Sequence, residues 1–304
     1  MPFLTKLYPK MLPSHWNSRT QFDLYTDTPD KIHPPEFLYI YYFQGRVFKS
    51  NLSNLPYFLG DWEEEGDSFL FFSQPSPGSV AHILREQPEL SLLDEYQVPY
   101  FEWQGGEIGT FEVGNLRLVP LWDKQDKLEQ HSGKEVFFDP GVVFGTGNHA
   151  TTRDCLEAMD YVFAREQVFF ALDIGAGSGI LSLAAAKWGA EKVLALDNNP
   201  LAARTTRKNI VLNNLRDHVL TIQAKGEEHV HLQTDLLLAN IHLDIMRSIV
   251  RDPGFKYKKW CILSGLMTRG AAEIREMLLQ QDTEIVSTWI SDDIWHTFLL
   301  RHKS

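Results

Sequence analysis

The chain reads as an α/β protein: a mostly parallel sheet of seven strands covered by helices, preceded by a small α+β module. Three observations carry this. From about residue 136 apolar strands alternate with amphipathic helices, the rhythm of a parallel sheet covered on both faces. One apolar strand, Val168 to Leu172, runs into Asp173 and then glycine at every second position, Gly175, Gly177 and Gly179, before a helix begins. Before residue 96 the rhythm is different, with aromatic strands broken by prolines.

In chain order, Glu36 to Phe43 and Ser68 to Phe72 read as strands, being rich in the aromatic residues that suit a pleated surface. Gly60 to Asp67 reads as an exposed acidic turn, and Val80 to Arg85 as a short helix. Residues 1–95 thus form a small α+β module, in which large side chains build a core. Residues 96–135 read as a connection with extended pieces, among them Leu116 to Trp122. Within it, Asp123 to Lys134 is polar and charged, as in a surface linker.

Residues 136–304 form the third part. Strands are expected near 168–173, 192–197, 218–223, 234–240, 259–264, 284–290 and 295–301, and helices near 150–163, 179–189, 200–213, 243–251 and 269–280. No helix, only the short turn around Ser291, Asp292 and Asp293, lies between the last two strands, so they should form an antiparallel hairpin at one end of the sheet.

The formal net charge of −11 argues against nucleic acid as the main partner. Residues 1–135 hold 11 basic and 20 acidic residues, a balance of −9, and residues 136–304 hold 18 and 20, a balance of −2. An acidic first part keeps the protein soluble and is able to steer a basic partner. No apolar run approaches the ~20 residues that span a bilayer. Met1 to Lys10 lacks the apolar core and cleavage site of a secretory signal. The two cysteines, Cys155 and Cys261, lie in apolar stretches and read as buried free thiols. A cytoplasmic protein is expected.

The glycine run is a cradle, since glycine turns sharply and lets a ligand approach the backbone. Its spacing selects the ligand. A dinucleotide fingerprint is G-x-G-x-x-G, but Ile180, Leu181 and Ser182 follow Gly179, so the third glycine is missing. Asp173 would repel a pyrophosphate but suits the ammonium of an amino-acid moiety, as in S-adenosylmethionine (SAM). Val193 to Asp197 is a second apolar strand ending in an acid, 22 residues after Gly175. A carboxylate there accepts from both ribose hydroxyls.

Asn240 ends the strand Asp235 to Asn240, at the carboxyl edge where open parallel sheets bind ligands. Its amide offers an acceptor and two donors, for a substrate amine, for the ligand, or for capping the next helix. Upstream, Phe138 to Thr152 carries Gly141, Gly145 and Gly147 just before a helix. This is a cover, a second ligand loop or a domain junction, with Thr151 and Thr152 offering hydroxyls and N–H groups at the helix start. No G-x-S-x-G, H-E-x-x-H or paired C-x-x-C occurs. The close pair His229 and His231 lacks a third ligand, so no metal is expected.

At these residues the chain resembles the ribosomal protein L11 methyltransferases, class I SAM-dependent enzymes. The likeness covers residues 136–304 and is weaker over 96–135. It is carried by Phe138 to Thr152, Asp173 to Leu181, Asp197, Ala239-Asn240-Ile241 and Leu263 to Leu266. It implies a Rossmann-like class I methyltransferase domain whose last strand is antiparallel. It implies SAM as cofactor, with the family's binding positions falling on Thr152, Gly175, Asp197 and Asn240; Phe144, Thr146, Asp173, Gly177 and Gly179 complete the expected cofactor-binding set. The implied reaction is methyl transfer to lysine or N-terminal amines of a protein, with ribosomal protein L11 as the implied substrate. Such a displacement needs a neutral nucleophile in line with the methyl group. Asn240 is the candidate to align the amine, and His242 the candidate to take its proton or, alternatively, a packing residue. Asn148 and Ala150 stand where the family has threonine and proline, and no motif in residues 1–95 matches the family's substrate-recognition domain. A methyltransferase for another protein or a small molecule, or a SAM-binding protein without activity, are the other readings.

Overall fold

The computed structural model describes residues 33–48, 52–64, 66–123 and 134–303. The expectations for Met1 to Lys10, for the rest of the module before residue 33 and for most of the Asp123 to Lys134 linker lie outside them. From Pro34 onward the chain forms one compact unit.

Four antiparallel strands open it: β1 (Phe37–Gln44), β2 (Phe58–Glu64), β3 (Asp67–Phe72) and β4 (Ser91–Pro99), in the order β2-β3-β1-β4. Side chains alternate across a strand. Tyr41, Phe43, Leu70 and Phe72 therefore share a core with Val80 and Ile83 of helix α1 (Pro77–Glu86), while Leu38, Ile40 and Phe71 join the main core. The expected acidic turn is corrected here. Gly60 to Glu64 belong to strand β2, and only the reversal around Gly66 is a turn. β2 lies at the sheet edge, where Glu63 is exposed, which gives it the polarity of a loop. Asp61, however, is buried and bonds Arg204 at 3.0 Å.

The stretch read as a connection contributes more than extended pieces. It holds a short helix, α2 (Tyr100–Trp103), and strands β5 (Phe111–Val113) and β6 (Leu116–Pro120). β6 runs antiparallel to β5 and parallel to β7 (Lys134–Phe138), and it is buried throughout.

The remainder alternates as expected: α3 (Ala150–Phe163), β8 (Phe170–Ile174), α4 (Ile180–Trp188), β9 (Lys192–Asp197), α5 (Pro200–Leu212), β10 (Val219–Gln223), β11 (Thr234–Asn240), α6 (Leu243–Arg251), β12 (Lys258–Met267), α7 (Thr268–Leu279), β13 (Thr283–Ser291) and β14 (Trp295–His302). The seven-stranded sheet has the order β10-β9-β8-β11-β12-β14-β13. All its pairings are parallel except those of β14, which is antiparallel to both β12 and β13. The chain leaves β8 towards β9 on one side and returns to β11 on the other. Right-handed crossovers then place α4 and α5 on one face and α6 and α7 on the other. Leu183, Leu236 and Ile262 are fully buried between the layers, each stabilising the fold by roughly 1.5–3 kcal/mol. The reversal of strand order falls between β8 and β11, where the carboxyl ends open a crevice. Among the described residues no helix is long and apolar enough to cross a membrane.

Candidate active site

The crevice is built from three strand ends and one loop. β8 ends in Asp173 and Ile174, and the chain turns through Gly175, Gly177 and Gly179 at φ of +76°, +56° and +84°. Each is left-handed backbone, which favours glycine. The N–H groups of Gly175 and Ala176 both donate to the Leu196 carbonyl, at 2.8 and 3.0 Å. Space excludes a side chain as well. A Cβ would lie 2.6 Å from the Phe144 carbonyl oxygen at Gly177, and 2.8 Å from Ile241 Cδ1 at Gly175.

The two acids have different surroundings. Asp197, half-buried at the end of β9, accepts from the Gly177 N–H through Oδ2 and the Asn199 N–H through Oδ1, both at 2.9 Å. Each oxygen keeps acceptor capacity. Burial raises its pKa, and the two N–H groups oppose that. Asp173 is only 1% exposed and takes the Ser182 hydroxyl at 2.5 Å. Burial pushes it up to about 7. Its carboxyl is thus engaged with the first turn of α4.

The loop before α3 lies over this cradle. The Phe144 carbonyl accepts from the Ser178 N–H at 3.0 Å, and the Gly145 carbonyl accepts from the Ser178 hydroxyl. Asn209 of α5 ties both layers, donating to the carbonyls of Asp139 and Ser178 at 2.9 and 2.8 Å. Thr146 is buried, and its hydroxyl accepts from the Asn148 N–H at 3.2 Å. Phe144 is 56% exposed at the mouth.

His149 caps α3, its Nδ1 accepting from the Thr151 N–H at 3.4 Å and facing the Thr151 hydroxyl at 2.8 Å. Asn240 Nδ2 donates to that same hydroxyl at 3.2 Å. With Nδ1 accepting, the ring proton sits on Nε2. The ring packs edge-on against Phe144 at 5.4 Å and Trp295 at 4.8 Å. Burial lowers its pKa, against opposing pulls from Asp292 and Asp154, so it is neutral at pH 7. Thr152 is buried, and its hydroxyl has no partner among the described residues.

Asp173, Gly175, Gly177, Gly179 and Asp197 therefore sit together at the ends of β8 and β9, Phe144 and Thr146 lie in the loop bonded over them, Asn240 ends the neighbouring β11, and Thr152 lies in α3. His242 stands apart, exposed at the start of α6 with no capping bond from its side chain. Sequence reasoning did not single out Ser182, Ser178, Asn209 or Trp295. Ser182 lies nine residues from Asp173, one helical turn into α4, a local signal. Trp295 starts β14, and only the strand order brings it to His149. Among the described residues no group of three or more His, Cys, Asp or Glu is placed to hold a metal ion.

A seven-stranded sheet with one antiparallel strand, a glycine cradle at the switch point and an acid ending the next strand define the class I methyltransferase fold. The solved ribosomal protein L11 methylase of Lactobacillus delbrueckii subsp. bulgaricus has this fold. It superposes with a TM-score of 0.57 at 24% identity, covering 64% of this chain and 100% of that one. The family model "Ribosomal protein L11 methyltransferase (PrmA)" matches residues 106–303, and the chain belongs to that family. Ribosomal protein L11 methyltransferase of Carboxydothermus hydrogenoformans is 34% identical over 181 residues, 58% of this chain and 57% of that protein. Its counterpart in an Exiguobacterium species is 34% identical over 181 residues, 59% and 56% of the two chains. The chain thus spans little more than half the length of these curated relatives.

Proposed function

We propose that the protein is a SAM-dependent methyltransferase that methylates lysine or N-terminal amines of a protein, with ribosomal protein L11 as substrate, and that it works in the cytoplasm. In this reading residues 136–304 are catalytic, residues 96–135 join them to the rest, and residues 1–95 recognise the substrate. The observation that carries it is the placement of Asn240 beside the cradle, bonded through Thr151 to the loop that covers it.

The residues fit the cofactor. Asp197 is held by two N–H groups and retains acceptor capacity for two ribose hydroxyls. Gly175, Gly177 and Gly179 leave the backbone open to a ligand. The rings of Phe144 and Trp295, gathered on His149, suit a positively charged centre. Thr146 in the loop, Thr152 at the start of α3 with its hydroxyl unpartnered among the described residues, and Asp173 behind the cradle complete the cofactor-binding set. SAM, when bound, supplies an electrophilic methyl group on a sulfonium.

The chain's own residues supply positioning. An amine attacks only when neutral, and an ordinary lysine has a pKa of about 10.4. Loss of water around it favours the neutral form. Asn240 accepts a hydrogen bond from the amine and directs its lone pair. His242, exposed and apart from the crevice, is a packing or solubility residue in this reading, and the released proton passes to water. No metal is needed.

The test is to incubate the protein with methyl-labelled SAM and unmodified ribosomal protein L11, then locate label by mass spectrometry. Label on L11 amines is expected; unlabelled L11 with SAM bound would overturn the substrate. One observation favours a second reading, the same chemistry on another protein: the family match begins at residue 106. Label on a different protein would then be found.

A further inference from the structure

The loop over the cradle is held from its outer side by a segment outside the catalytic sheet. The Gly141 carbonyl accepts from the Tyr100 hydroxyl at 2.8 Å and from Gln104 Nε2 at 2.9 Å. The next carbonyl, of Val142, accepts from the Trp103 indole N–H at 2.9 Å. At the far end of the loop Asn148 Nδ2 donates to the Gly106 carbonyl at 3.0 Å. Residues 100–106 therefore grip both ends of the stretch 141–148, whose middle carbonyls, of Phe144 and Gly145, hold Ser178 of the cradle.

That segment follows directly from β4. The Tyr100 N–H donates to the Glu36 carbonyl at 3.0 Å, just before β1. The Trp103 ring packs on Phe71 of β3, centroids 5.4 Å apart. One indole thus touches the N-terminal sheet with its ring and the loop with its N–H. Gly105 and Gly106, at φ of +78° and +130°, let the chain bend back so that Gly106 meets Asn148. Asn148 stands where the resembled family has threonine, whose shorter side chain carries no amide donor.

We propose that Trp103, Tyr100, Gln104 and Asn148 form a clamp that positions loop 141–149 for the cofactor and couples its setting to the N-terminal sheet. They are positioning residues, not catalytic ones. The proposal rests on the reading of the crevice as the SAM site. Its consequence is that any shift of the N-terminal sheet on the catalytic sheet changes cofactor affinity.

Trp103→Phe keeps a ring against Phe71 and deletes the N–H donor. Asn148→Ala deletes the other tie without touching the sheet contact. Two measurements decide: SAM affinity by calorimetry, and amide hydrogen exchange of residues 141–149. Losing one neutral hydrogen bond is expected to weaken SAM binding about five-fold. Exchange in 141–149 should quicken by a similar factor, and exchange in β8, β9 and β11 should stay as in the wild type. Methylation at saturating SAM should keep its rate, so the KM for SAM rises alone. Wild-type affinity and wild-type exchange in both variants would overturn the clamp. Should Trp103→Phe not fold, Asn148→Ala carries the test. If the wild type binds no SAM, the cofactor reading fails, and loop exchange still decides whether the clamp exists.

Discussion

Replacing Gly177 by alanine puts a methyl group 2.6 Å from the Phe144 carbonyl oxygen, on backbone at φ +56°. Two effects follow. A left-handed conformation costs a non-glycine residue ~1–2 kcal/mol. The Phe144 carbonyl must also move, and it is the acceptor of the Ser178 N–H at 3.0 Å, a bond contributing ~1 kcal/mol. Together the change costs about 2–3 kcal/mol, which lowers the melting temperature by roughly 5–10 °C. Gly78 provides the control. It lies in α1, has no positive φ, and a Cβ there meets nothing within 4 Å. Alanine at that helix position is expected to stabilise by up to ~1 kcal/mol. The assay is thermal unfolding of both variants beside the wild type, with SAM affinity measured on each. Gly177→Ala should melt earlier and bind SAM more weakly, and Gly78→Ala should do neither. Equal melting of Gly177→Ala and the wild type would refute the reasoning that the cover loop rests on this glycine.

Asp173→Asn tests the buried carboxyl. Its pKa is raised to about 7, against ~3.9 in the unfolded chain, so the folded state holds the extra proton between those values. Stability should therefore fall as pH rises from about 4 to about 7, and the asparagine variant should lack that part of the slope in urea titrations across this range. A slope as steep as that of the wild type would contradict the assignment. Asn240→Ala is expected to bind SAM within a few-fold of the wild type but to lower the methylation rate roughly 10-fold or more, given a lost hydrogen bond and misalignment; an unchanged rate would remove its aligning role. In His242→Ala, methylation at the wild-type rate is expected and would remove the proton-transfer role, whereas a lowered rate with SAM affinity unchanged supports it.

The parts of the site visible in the sequence are those written into short stretches. Asp173, the three glycines and the start of α4 lie within a few residues of one another, and the strand to Asp197 follows in the same unit. The alternation from β8 onward was visible for the same reason, because each strand and helix carries its own apolar period. Contacts made by the fold were not visible. Asn240 and Thr151 are 89 residues apart and meet because α3 packs on β11 and β12. Trp295 reaches His149 because β14 inserts between β12 and β13. Strand β2 was missed because it combines an edge position with a cluster of acids, Asp61, Glu63 and Glu64. The sheet of β5, β6 and β7 was only glimpsed, as extended pieces, since its parallel pairing joins strands on either side of the charged linker. The hold of residues 100–106 on the cover loop depends on backbone carbonyls, which no side-chain pattern announces.

The account stands on SAM occupying the crevice with Asp197 at its ribose. Calorimetric titration of SAM into the wild type and into Asp197→Ala tests this most directly. One molecule of SAM bound per chain is predicted for the wild type, with affinity lowered at least ~10-fold in the variant, because a charged acceptor is lost. Absence of binding to the wild type, or equal binding to both, would contradict it.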